Sequence, residues 1–378
     1  MLLEIDNTSY GRHNATFTYN GKSWELTSGE LVYLEGDPAY ISHVYYAPNY
    51  KWSNTSLMLK KGKVAGTDEL IEGKARITGN GETITVSFAE ATRKYSRLRI
   101  ATLPNEQITV DTEYFTPAGS SDMEQNGNYT LTSDEKGNAY LYGTFENNSE
   151  VTVKYREAAL TTYTFSQATE SAKSYALDAT VISANSAEEI KSAIEQKVAD
   201  GKTTIRLNLA PNAGTDEFMA IREAIKGAAP NDLGTIELTI IGVETIPEEA
   251  FYKMLQLKSV RMSDVKEIKK YAFKECQYLT VVEAPSLNKL CSGAFKKCDQ
   301  LAKLTFGPIN YADERNWPIF EYITPNIDLI LSDYQKEMIE TDDYLYTANN
   351  DRDYAGSDEH NSKNFLGREF KSITCRRY

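Results

Sequence analysis

A period of 22 residues runs through residues 246–309 and constrains the fold more than any other feature of the chain. Eight positions in each period hold an apolar residue in all three copies, while the residues between them vary freely. The eight columns are Ile246, Ile268 and Leu290; Ala250, Ala272 and Ala294; Phe251, Phe273 and Phe295; Met254, Cys276 and Cys298; Leu257, Leu279 and Leu301; Val260, Val282 and Leu304; Met262, Ala284 and Phe306; Val265, Leu287 and Ile309. Such a period predicts a solenoid, because one copy cannot bury its apolar edge alone and stacked neighbours share a core.

The repeated unit reads Ile-x-x-x-Ala-Phe-x-x-Cys-x-x-Leu-x-x-Val, and residues 268–282 match it at every defined position. Residues 290–304 are nearly as close, and residues 246–260 differ only in carrying Met254 in place of Cys. The unit closely resembles the BspA-type leucine-rich repeat of bacterial surface proteins. This resemblance implies a short strand at the Leu-x-x-Val part of each copy and a helical turn at the Ala-Phe part.

The array extends beyond the three clear copies. Ile236–Val243 lies one period before the first clear strand, and Ile205–Leu209 alternates between apolar and polar residues like another strand. Downstream, Ile327–Leu331 is a further candidate strand, slightly out of register, and Phe370–Ile373 resembles the strand that closes such arrays. The outer copies are expected to be atypical because they present a polar face to solvent.

Two helices are predicted before the repeats. Ser186 and Glu189 form a capping box, in which each side chain satisfies a free backbone amide, and the helix ends at Gly201. A second helix follows Thr215 and ends at Gly227. We expect both helices to cover the open N-terminal end of the repeats.

The N-terminal half of the chain, residues 1–182, breaks into short runs of alternating residues separated by Gly and Asn turns. Many short strands with such turns predict an antiparallel β-sandwich. The alternating runs are Trp24–Leu26, Ile84–Phe88, Leu98–Ile100, Tyr140–Tyr142, Val151–Tyr155 and Tyr163–Phe165.

Three segments of this half are similar, in order and spacing, to the fimbrillin-like domains of Bacteroidetes. Val44–Pro48 is similar to a strand that ends in a Tyr-x-Pro turn, and Asp68–Ala75 to an Asp-Leu-Leu-x-Gly-x-Ala segment. Ile84–Phe88 and Ser96–Ile100 are similar to the next two strands of that family. The resemblance implies a short helix between these strands, at Ala89–Ala91.

These patterns together predict a multidomain chain, in which an antiparallel β-sandwich of the fimbrillin-like kind precedes a short α/β leucine-rich-repeat solenoid. The boundary is expected in a short linker between Val181 and Asn185. The predicted parts are a sandwich at 1–182 and a repeat domain at 183–378, the latter with a helical N-terminal cap at 183–235, clear repeats at 246–309 and a C-terminal cap at 310–378.

The net charge of the chain and the local charge of the repeats indicate which classes of partner the protein can bind. A formal net charge of −13 argues against nucleic acid, because a nucleic-acid binder needs clustered Lys and Arg to neutralise phosphates. Residues 246–304 instead hold 11 basic and 7 acidic residues, a local balance of +4. This is either an ordinary solvated face or a basic strip that meets an acidic glycan or protein. No apolar run is long enough to cross a bilayer, and the start of the chain lacks a secretory signal pattern.

No motif for catalysis, cofactor binding or metal binding is recognisable, so we expect neither an enzyme nor a cofactor. Residues 349–356 partly match a calcium loop, but Tyr354 stands where glycine is required, which favours an acidic loop without metal. Two of the four cysteines fall in the repeat column, which favours small buried hydrophobes over zinc ligands; a disulfide between these two is conceivable but not implied. The four are Cys276, Cys291, Cys298 and Cys375.

The function that these resemblances imply is that of a non-enzymatic adhesion or interaction protein at the cell surface or outer membrane. It would be exported, held by a lipid anchor or a pilus attachment that this chain does not include, and would bind a host or bacterial protein or glycan. The alternative is a pilus subunit or tip component that assembles by strand exchange. In that case the first strand, which looks short or missing before Trp24, leaves an unpaired N-terminal strand edge. A hydrolase accessory module would need a convergent polar pocket that the sequence does not indicate.

The binding surface follows from strand alternation, since neighbouring side chains on a strand point to opposite faces. Val260, Val282 and Leu304 belong to an apolar column, so the residues beside them face outward. We predict that these two outward rows bind the protein or glycan, against the alternative of a merely solvated sheet. The basic turns that carry Lys274 and Lys296 are the next candidate. The predicted rows are Ser259, Val281 and Lys303, and Arg261, Glu283 and Thr305.

Overall fold

A computed structural model describes residues 2–7, 11–30, 41–54, 56–79, 84–119, 125–312, 319–335, 364–366 and 368–376. The described residues are rich in β-strand, with several separate sheets and two α-helices. Neither of these helices is long and apolar enough to cross a membrane. The chain divides into two compact units, Met1–Ala179 and Thr180–Tyr378, so the division lies just before the predicted linker.

The described residues of the first unit form strands and the turns between them. One sheet has six antiparallel strands, and a second has seven, of which only the pair formed by the last strand is parallel. In chain order the strands are β1 Leu2–Asn7, β2 Gly11–Tyr19, β3 Trp24–Gly29, β4 Ile41–Tyr46, β5 Tyr50–Ser53, β6 Ser56–Leu59, β7 Ile71–Gly79, β8 Ile84–Arg93, β9 Ser96–Ala101, β10 Gln107–Pro117, β11 Gln125–Thr132, β12 Asn138–Phe145, β13 Glu150–Tyr155, β14 Ala158–Thr164 and β15 Ser174–Asp178. The six-stranded sheet runs β3-β2-β1-β4-β7-β8, the seven-stranded sheet runs β14-β13-β10-β12-β9-β15 with β11 beside β10, and β5 pairs with β6 in a hairpin.

The core of the seven-stranded sheet follows the period-two pattern of its strands. Val151, Val153 and Tyr155 of β13 are buried, whereas the residues between them are partly exposed. Phe145 stacks between Phe115, at 4.3 Å between ring centroids, and Phe165, at 4.8 Å. The runs Leu98–Ile100 and Val151–Tyr155 therefore lie on strands with one buried face, whereas Trp24–Leu26 lies on β3, all of whose residues are exposed.

The N-terminal strand corrects one prediction. β1 is neither short nor missing: it pairs with β2 on one side and with β4 on the other, so it lies inside the sheet. Leu2 is buried in a small core with Tyr45 and Tyr50. The run Leu2–Asn7 holds only one β-branched residue, and pairing on both sides supplies what local propensity does not. The predicted unpaired edge at this strand is therefore wrong.

A second correction concerns Ala89–Ala91. The resemblance to fimbrillins implied a short helix there, but these residues lie within β8, which pairs antiparallel with β7 on both sides of a register shift at Glu90 and Ala91. Ala and Glu favour helices only weakly, by a few tenths of a kcal/mol per residue, up to roughly 0.7. A strand partner on the sheet outweighs so small a preference.

The second unit carries both helices and a parallel sheet. Its elements are β16 Ile182–Ala184, α1 Ala187–Ala199, β17 Thr204–Leu209, α2 Thr215–Ala228, β18 Ile236–Ile241, β19 Thr245–Ile246, β20 Leu257–Arg261, β21 Glu267–Ile268, β22 Val281–Ala284, β23 Lys289–Leu290, β24 Lys303–Phe306, β25 Tyr311–Ala312, β26 Asp328–Ser332, β27 Asn364–Phe365, β28 Arg368–Glu369 and β29 Ser372–Arg376. Eight strands form one parallel sheet in the order β16-β17-β18-β20-β22-β24-β26-β29. A second parallel sheet has the order β19-β21-β23-β25, and β27 pairs with β28.

In both parallel sheets, each residue of a repeat strand pairs with the residue 22 positions further along the chain, so the sequence period appears as the register between neighbouring strands. Val260 pairs with Val282 and Val282 with Leu304, while the second sheet pairs Ile268 with Leu290 at the same offset. Every residue of the eight apolar columns is buried. After β24 the offset lengthens, since Leu304 pairs with Leu329, and this explains why the copy at Ile327–Leu331 looked out of register.

Backbone hydrogen bonds also join the turns of successive repeats. Alternate amides bond within their own turn, as Lys274 N does to Tyr271 O, while the amides between them reach the next turn. Phe273 N donates to Ala294 O at 2.9 Å, and Glu275 N donates to Lys296 O at 2.8 Å. We call this set of bonded turns, at residues 247–254, 269–276, 291–298 and 319–323, the turn ladder.

Phenylalanine rings stack along the turn ladder as predicted. The Phe273 ring lies 5.1 Å from Phe251 and 5.4 Å from Phe295, with interplanar angles of 21° and 7°. Phe218 of α2 meets Phe251 edge-on at 5.7 Å, and Phe370 meets Phe320, the last ring of the stack, edge-on at 5.6 Å. The aromatic column thus continues from the helical end of the repeats to the C-terminal strands.

The cysteine column supplies hydrogen-bond donors rather than disulfides or metal ligands. Cys276 Sγ donates to Phe251 O at 2.9 Å, and Cys298 Sγ donates to Phe273 O at 3.0 Å. All four cysteines are free thiols. Burial raises the pKa of Cys276 to about 12 and raises that of Cys298 well above its ordinary value. Both cysteines pack as small hydrophobic side chains, as the sequence indicated, and the S–H group of each also donates a hydrogen bond.

Both helices begin with side-chain capping. Ser186 Oγ accepts a hydrogen bond from Glu189 N, and Glu189 Oε2 accepts one from Asn185 N, which confirms the predicted capping box with the partner shifted by one residue. At α2, Glu217 Oε2 accepts from Gly214 N at 2.8 Å. Buried Ile194 and Phe218 belong to the same hydrophobic core as the repeats.

Phe273→Ala tests the stacking directly. We expect a loss of roughly 3–5 kcal/mol in the free energy of unfolding, because the cavity would lie between two stacked rings in a rigid ladder. Tyr334→Ala, which removes a ring that is 52% exposed, is the matched control and should change stability by about 0.5 kcal/mol or less. Denaturant unfolding measures both; equal losses for the two variants would contradict the stacking.

Thiol labelling tests the cysteine column. At roughly pH 8, near the ordinary thiol pKa of about 8.5, Cys276 and Cys298 should resist alkylation in the folded protein because both are buried and protonated. The partly exposed Cys291 and Cys375 are the internal references. Mass spectrometry of labelled peptides identifies the sites. Labelling of Cys276 as fast as that of Cys375 would show that the column opens readily.

Candidate functional site

The eight-stranded sheet brings the predicted binding residues together in two straight rows. Register pairs Ser259 with Val281 and Val281 with Lys303, and it pairs Arg261 with Glu283 and Glu283 with Thr305. None of the six is buried, while the strand residues Val260, Val282 and Leu304 between them are fully buried. The residues that the sequence predicted to face outward therefore lie on the accessible face of the sheet, and the residues between them lie on the buried face.

The two rows continue over strands that the sequence did not assign to the site. The signal was present in the alternating runs Ile205–Leu209 and Ile327–Leu331, but these copies depart from the repeat consensus elsewhere. We call the complete surface the outer sheet face. Its rows are Thr204, Glu237, Ser259, Val281, Lys303, Asp328 and Ser372, and Arg206, Thr239, Arg261, Glu283, Thr305, Ile330 and Thr374.

Exposure is uneven along the outer sheet face. Arg206 and Thr239 are only 6% and 4% exposed, and Ile330 is 9% exposed, so buried side chains flank the three middle residues of the second row. Between them Arg261 keeps 38% of its side chain exposed, and Lys303 of the first row belongs to the exposed class. The predicted residues therefore lie on an accessible stretch over β20, β22 and β24, while the rest of the first row and Thr374 are not buried either.

Charges on the outer sheet face are largely paired with one another. Arg261 Nε lies 2.9 Å from Glu283 Oε2, so two of the predicted binding residues neutralise each other. Asp328 accepts hydrogen bonds from Ser372 Oγ at 2.6 Å and from Lys371 Nζ at 3.1 Å, and these bonds lower its pKa. Exposed ion pairs of this kind contribute about 0–1 kcal/mol each, so a partner can replace them at little cost.

The basic turns named as the second candidate differ from each other. Lys296 Nζ lies 2.6 Å from Glu321 Oε2, with side chains that are 10% and 12% exposed. Lys296 is therefore held in a nearly buried ion pair and presents little charge to a partner. Lys274 instead lies between two tyrosine rings on the surface of the turn ladder, 5.1 Å from Tyr252 and 4.7 Å from Tyr271.

Two concave regions lie in the described structure. One lies in the second unit between α2 and the first repeat turn, where the apolar side chains of Phe218 and Met219 lie beside Arg222 and Glu248. The other lies in the first unit beside His43 and Arg93, among mostly polar and charged groups, whereas small-molecule sites are usually lined by apolar side chains with a few polar groups.

Among the described residues, no group of three or more His, Cys, Asp and Glu side chains is arranged to hold a metal ion. The loop at 349–356, which partly matches a calcium loop in sequence, lies outside the described residues.

Comparison with known proteins identifies the repeats. Residues 232–326 match the family model described as "BspA type Leucine rich repeat region (6 copies)". The match begins before β18 and ends before β26, so it includes the earlier copy predicted at Ile236–Val243. Repeats of this type indicate a surface protein-interaction role. The match does not extend to the first unit, and no curated protein and no solved structure matches the chain.

Proposed function

We propose that the protein is a non-enzymatic adhesion protein of the cell surface, which binds a host or bacterial protein or glycan through the outer sheet face. One observation carries this proposal: the BspA-type repeats present an open parallel-sheet face with two straight rows of side chains. Repeat proteins commonly use such extended surfaces for binding. The proposal rests on the side chains of this face, because a fold alone does not establish a function.

The chemistry of the face favours a macromolecule over a small apolar ligand. Its accessible middle combines hydroxyls of Ser259 and Thr305, the charged pair Arg261 and Glu283, and the methyl groups of Val281. Surfaces that mix paired charges, hydrogen-bonding groups and a small apolar centre are typical of protein–protein interfaces. The hydroxyl groups of a sugar would form hydrogen bonds with the same hydroxyl and charged side chains.

The proposal includes a setting for this binding. We infer that the second unit is a short leucine-rich-repeat solenoid and that the first unit is a β-sandwich of the fimbrillin-like kind. Two observations support the sandwich. The first unit contains two sheets whose strands are all or mostly antiparallel, and three of its segments are similar to Bacteroidetes fimbrillins. The protein would then be exported, carried at the outer membrane by a lipid anchor or pilus attachment, and would use neither a cofactor nor nucleic acid.

A pilus subunit or tip component is the second candidate. The described six-stranded sheet ends at β3, all of whose residues are exposed, including Trp24 at 45% and Leu26 at 51%. An exposed strand with apolar side chains at the edge of a sheet is a template for an added strand. Strand exchange would then use β3 and not the N-terminal strand, which is paired on both sides.

Arg261→Glu combined with Lys303→Glu tests the proposed face. The full chain would be screened against immobilised matrix proteins and glycans, and the affinity for each ligand found would be measured for both forms. We expect the double variant to bind at least tenfold more weakly, because it reverses two charges in the accessible middle of the face.

Lys191→Glu combined with Lys202→Glu is the matched control. It makes the same charge change on α1 and the turn after it, away from the strands of the sheet, and should leave the affinity within twofold. If the sheet variant binds as tightly as the control for every ligand found, the outer sheet face is not the binding site.

A further inference from the structure

The positive surplus of the repeats is unevenly distributed. Residues 246–304 carry 11 basic and 7 acidic residues, a surplus of 11 − 7 = 4. Four basic side chains on or next to the strands of the two parallel sheets are each matched with a carboxylate at a short distance. These pairs are Lys258 with Glu237, Arg261 with Glu283, Lys266 with Glu244, and Lys289 with Glu267, at N–O distances of 2.5 to 2.9 Å.

Lysines of the turn ladder share one carboxylate instead. Glu275 lies 3.6 Å from Lys253, 3.9 Å from Lys274 and 3.9 Å from Lys297. These three lysines come from three successive turns, and a single glutamate leaves 3 − 1 = 2 of their charges uncompensated. The Lys253 and Lys297 side chains are 56% and 47% exposed, so the surplus charge faces solvent.

Tyrosine rings lie between these ammonium groups. Lys253 and Lys274 both lie 5.1 Å from the centroid of Tyr252, and Lys274 is also 4.7 Å from Tyr271. Lys270 lies over the same Tyr271 ring at 4.8 Å. Cation–π contacts within about 6 Å hold a lysine in place without neutralising it. We call Lys253, Lys274 and Lys297, with Tyr252, Tyr271 and Glu275, the lysine–tyrosine cluster.

The lysine–tyrosine cluster is a local exception to the charge of the protein, because its three lysines lie on three successive turns of a chain whose net charge is −13.

We propose that the lysine–tyrosine cluster is a binding site for a sulfated glycan chain. Lys253 and Lys297 lie on either side of Glu275 in one column of the ladder, and Lys274 lies in the neighbouring column, so the three ammonium groups surround this one carboxylate at 3.6 to 3.9 Å. Sulfate groups recur along a glycan chain, and each can accept a charge-assisted hydrogen bond from a lysine. The tyrosine rings offer apolar surfaces to the C–H face of a sugar, which an acidic peptide would leave unused.

This site is separate from the outer sheet face, since its residues belong to the turns and not to the strands. The inference therefore stands or falls independently of the proposed function. Because the net charge of the chain repels polyanions, attraction to a sulfated chain must come from this local surplus.

The test is calorimetric titration of the full chain with a heparin-derived octasaccharide. Lys253→Gln, Lys274→Gln and Lys297→Gln in one variant should weaken binding at least tenfold. The substitutions retain a long polar side chain, and glutamine tolerates the positive φ of Lys253 and Lys297 no worse than lysine does. Raising the ionic strength from about 0.1 M to about 1 M, which shortens the screening length from about 10 Å to about 3 Å, should abolish binding to the unsubstituted chain.

Lys258→Gln, Lys266→Gln and Lys289→Gln form the matched control, with the same change of charge at lysines that are paired on the sheets. This control should bind within twofold of the unsubstituted chain. The desulfated octasaccharide and a polyglutamate peptide should bind at least tenfold more weakly. Absence of octasaccharide binding, equal effects of the two lysine variants, or equal binding of the peptide would each overturn the proposal.

Discussion

Hydrogen bonds between successive turns are the constraint on which the second unit depends. A turn normally leaves its amides to water, but here alternate amides, such as Phe273 N and Glu275 N, bond to carbonyls one repeat further on. The geometry requires positive φ at Tyr271 and Glu275, which costs roughly 1–2 kcal/mol per residue. The bonds, at about 0.5–1.5 kcal/mol each, offset this cost only when several turns are stacked.

The stacking also determines which side chains the repeat requires. With the turns one hydrogen bond apart, the phenylalanine rings come to 5.1 and 5.4 Å, close enough to stack. A cysteine beside the rings donates its S–H to a turn carbonyl that also accepts a backbone hydrogen bond, as Cys276 does to Phe251 O, which accepts from Met254 N as well. Outward positions of the same turns are free of this constraint, so lysine and tyrosine accumulate there.

Features that follow from the repeating pattern of buried residues could be predicted from the sequence. Features that depend on contact with one particular residue elsewhere in the chain could not. The apolar columns, the 22-residue register and the two rows on the outer sheet face all follow from the period and from strand alternation. The position of β1 between two strands depends on pairing across the sheet, which a run with few β-branched residues does not reveal. Nor does the sequence distinguish Lys296, nearly buried against Glu321, from Lys274, which lies between two tyrosines, because Glu321 and Tyr252 come from turns one repeat away.

Native-state hydrogen exchange measured by NMR tests the central claim, that the turns are bonded to one another as firmly as the strands are. The account predicts that the amides of Phe251, Phe273 and Glu275 exchange only through global unfolding, at the rate of the strand amides of Val282 and Leu304. The turn at Lys61 and Gly62 in the first unit is the reference for an ordinary turn. Exchange of the three ladder amides at the rate of that reference, while the strand amides stay protected, would contradict the account.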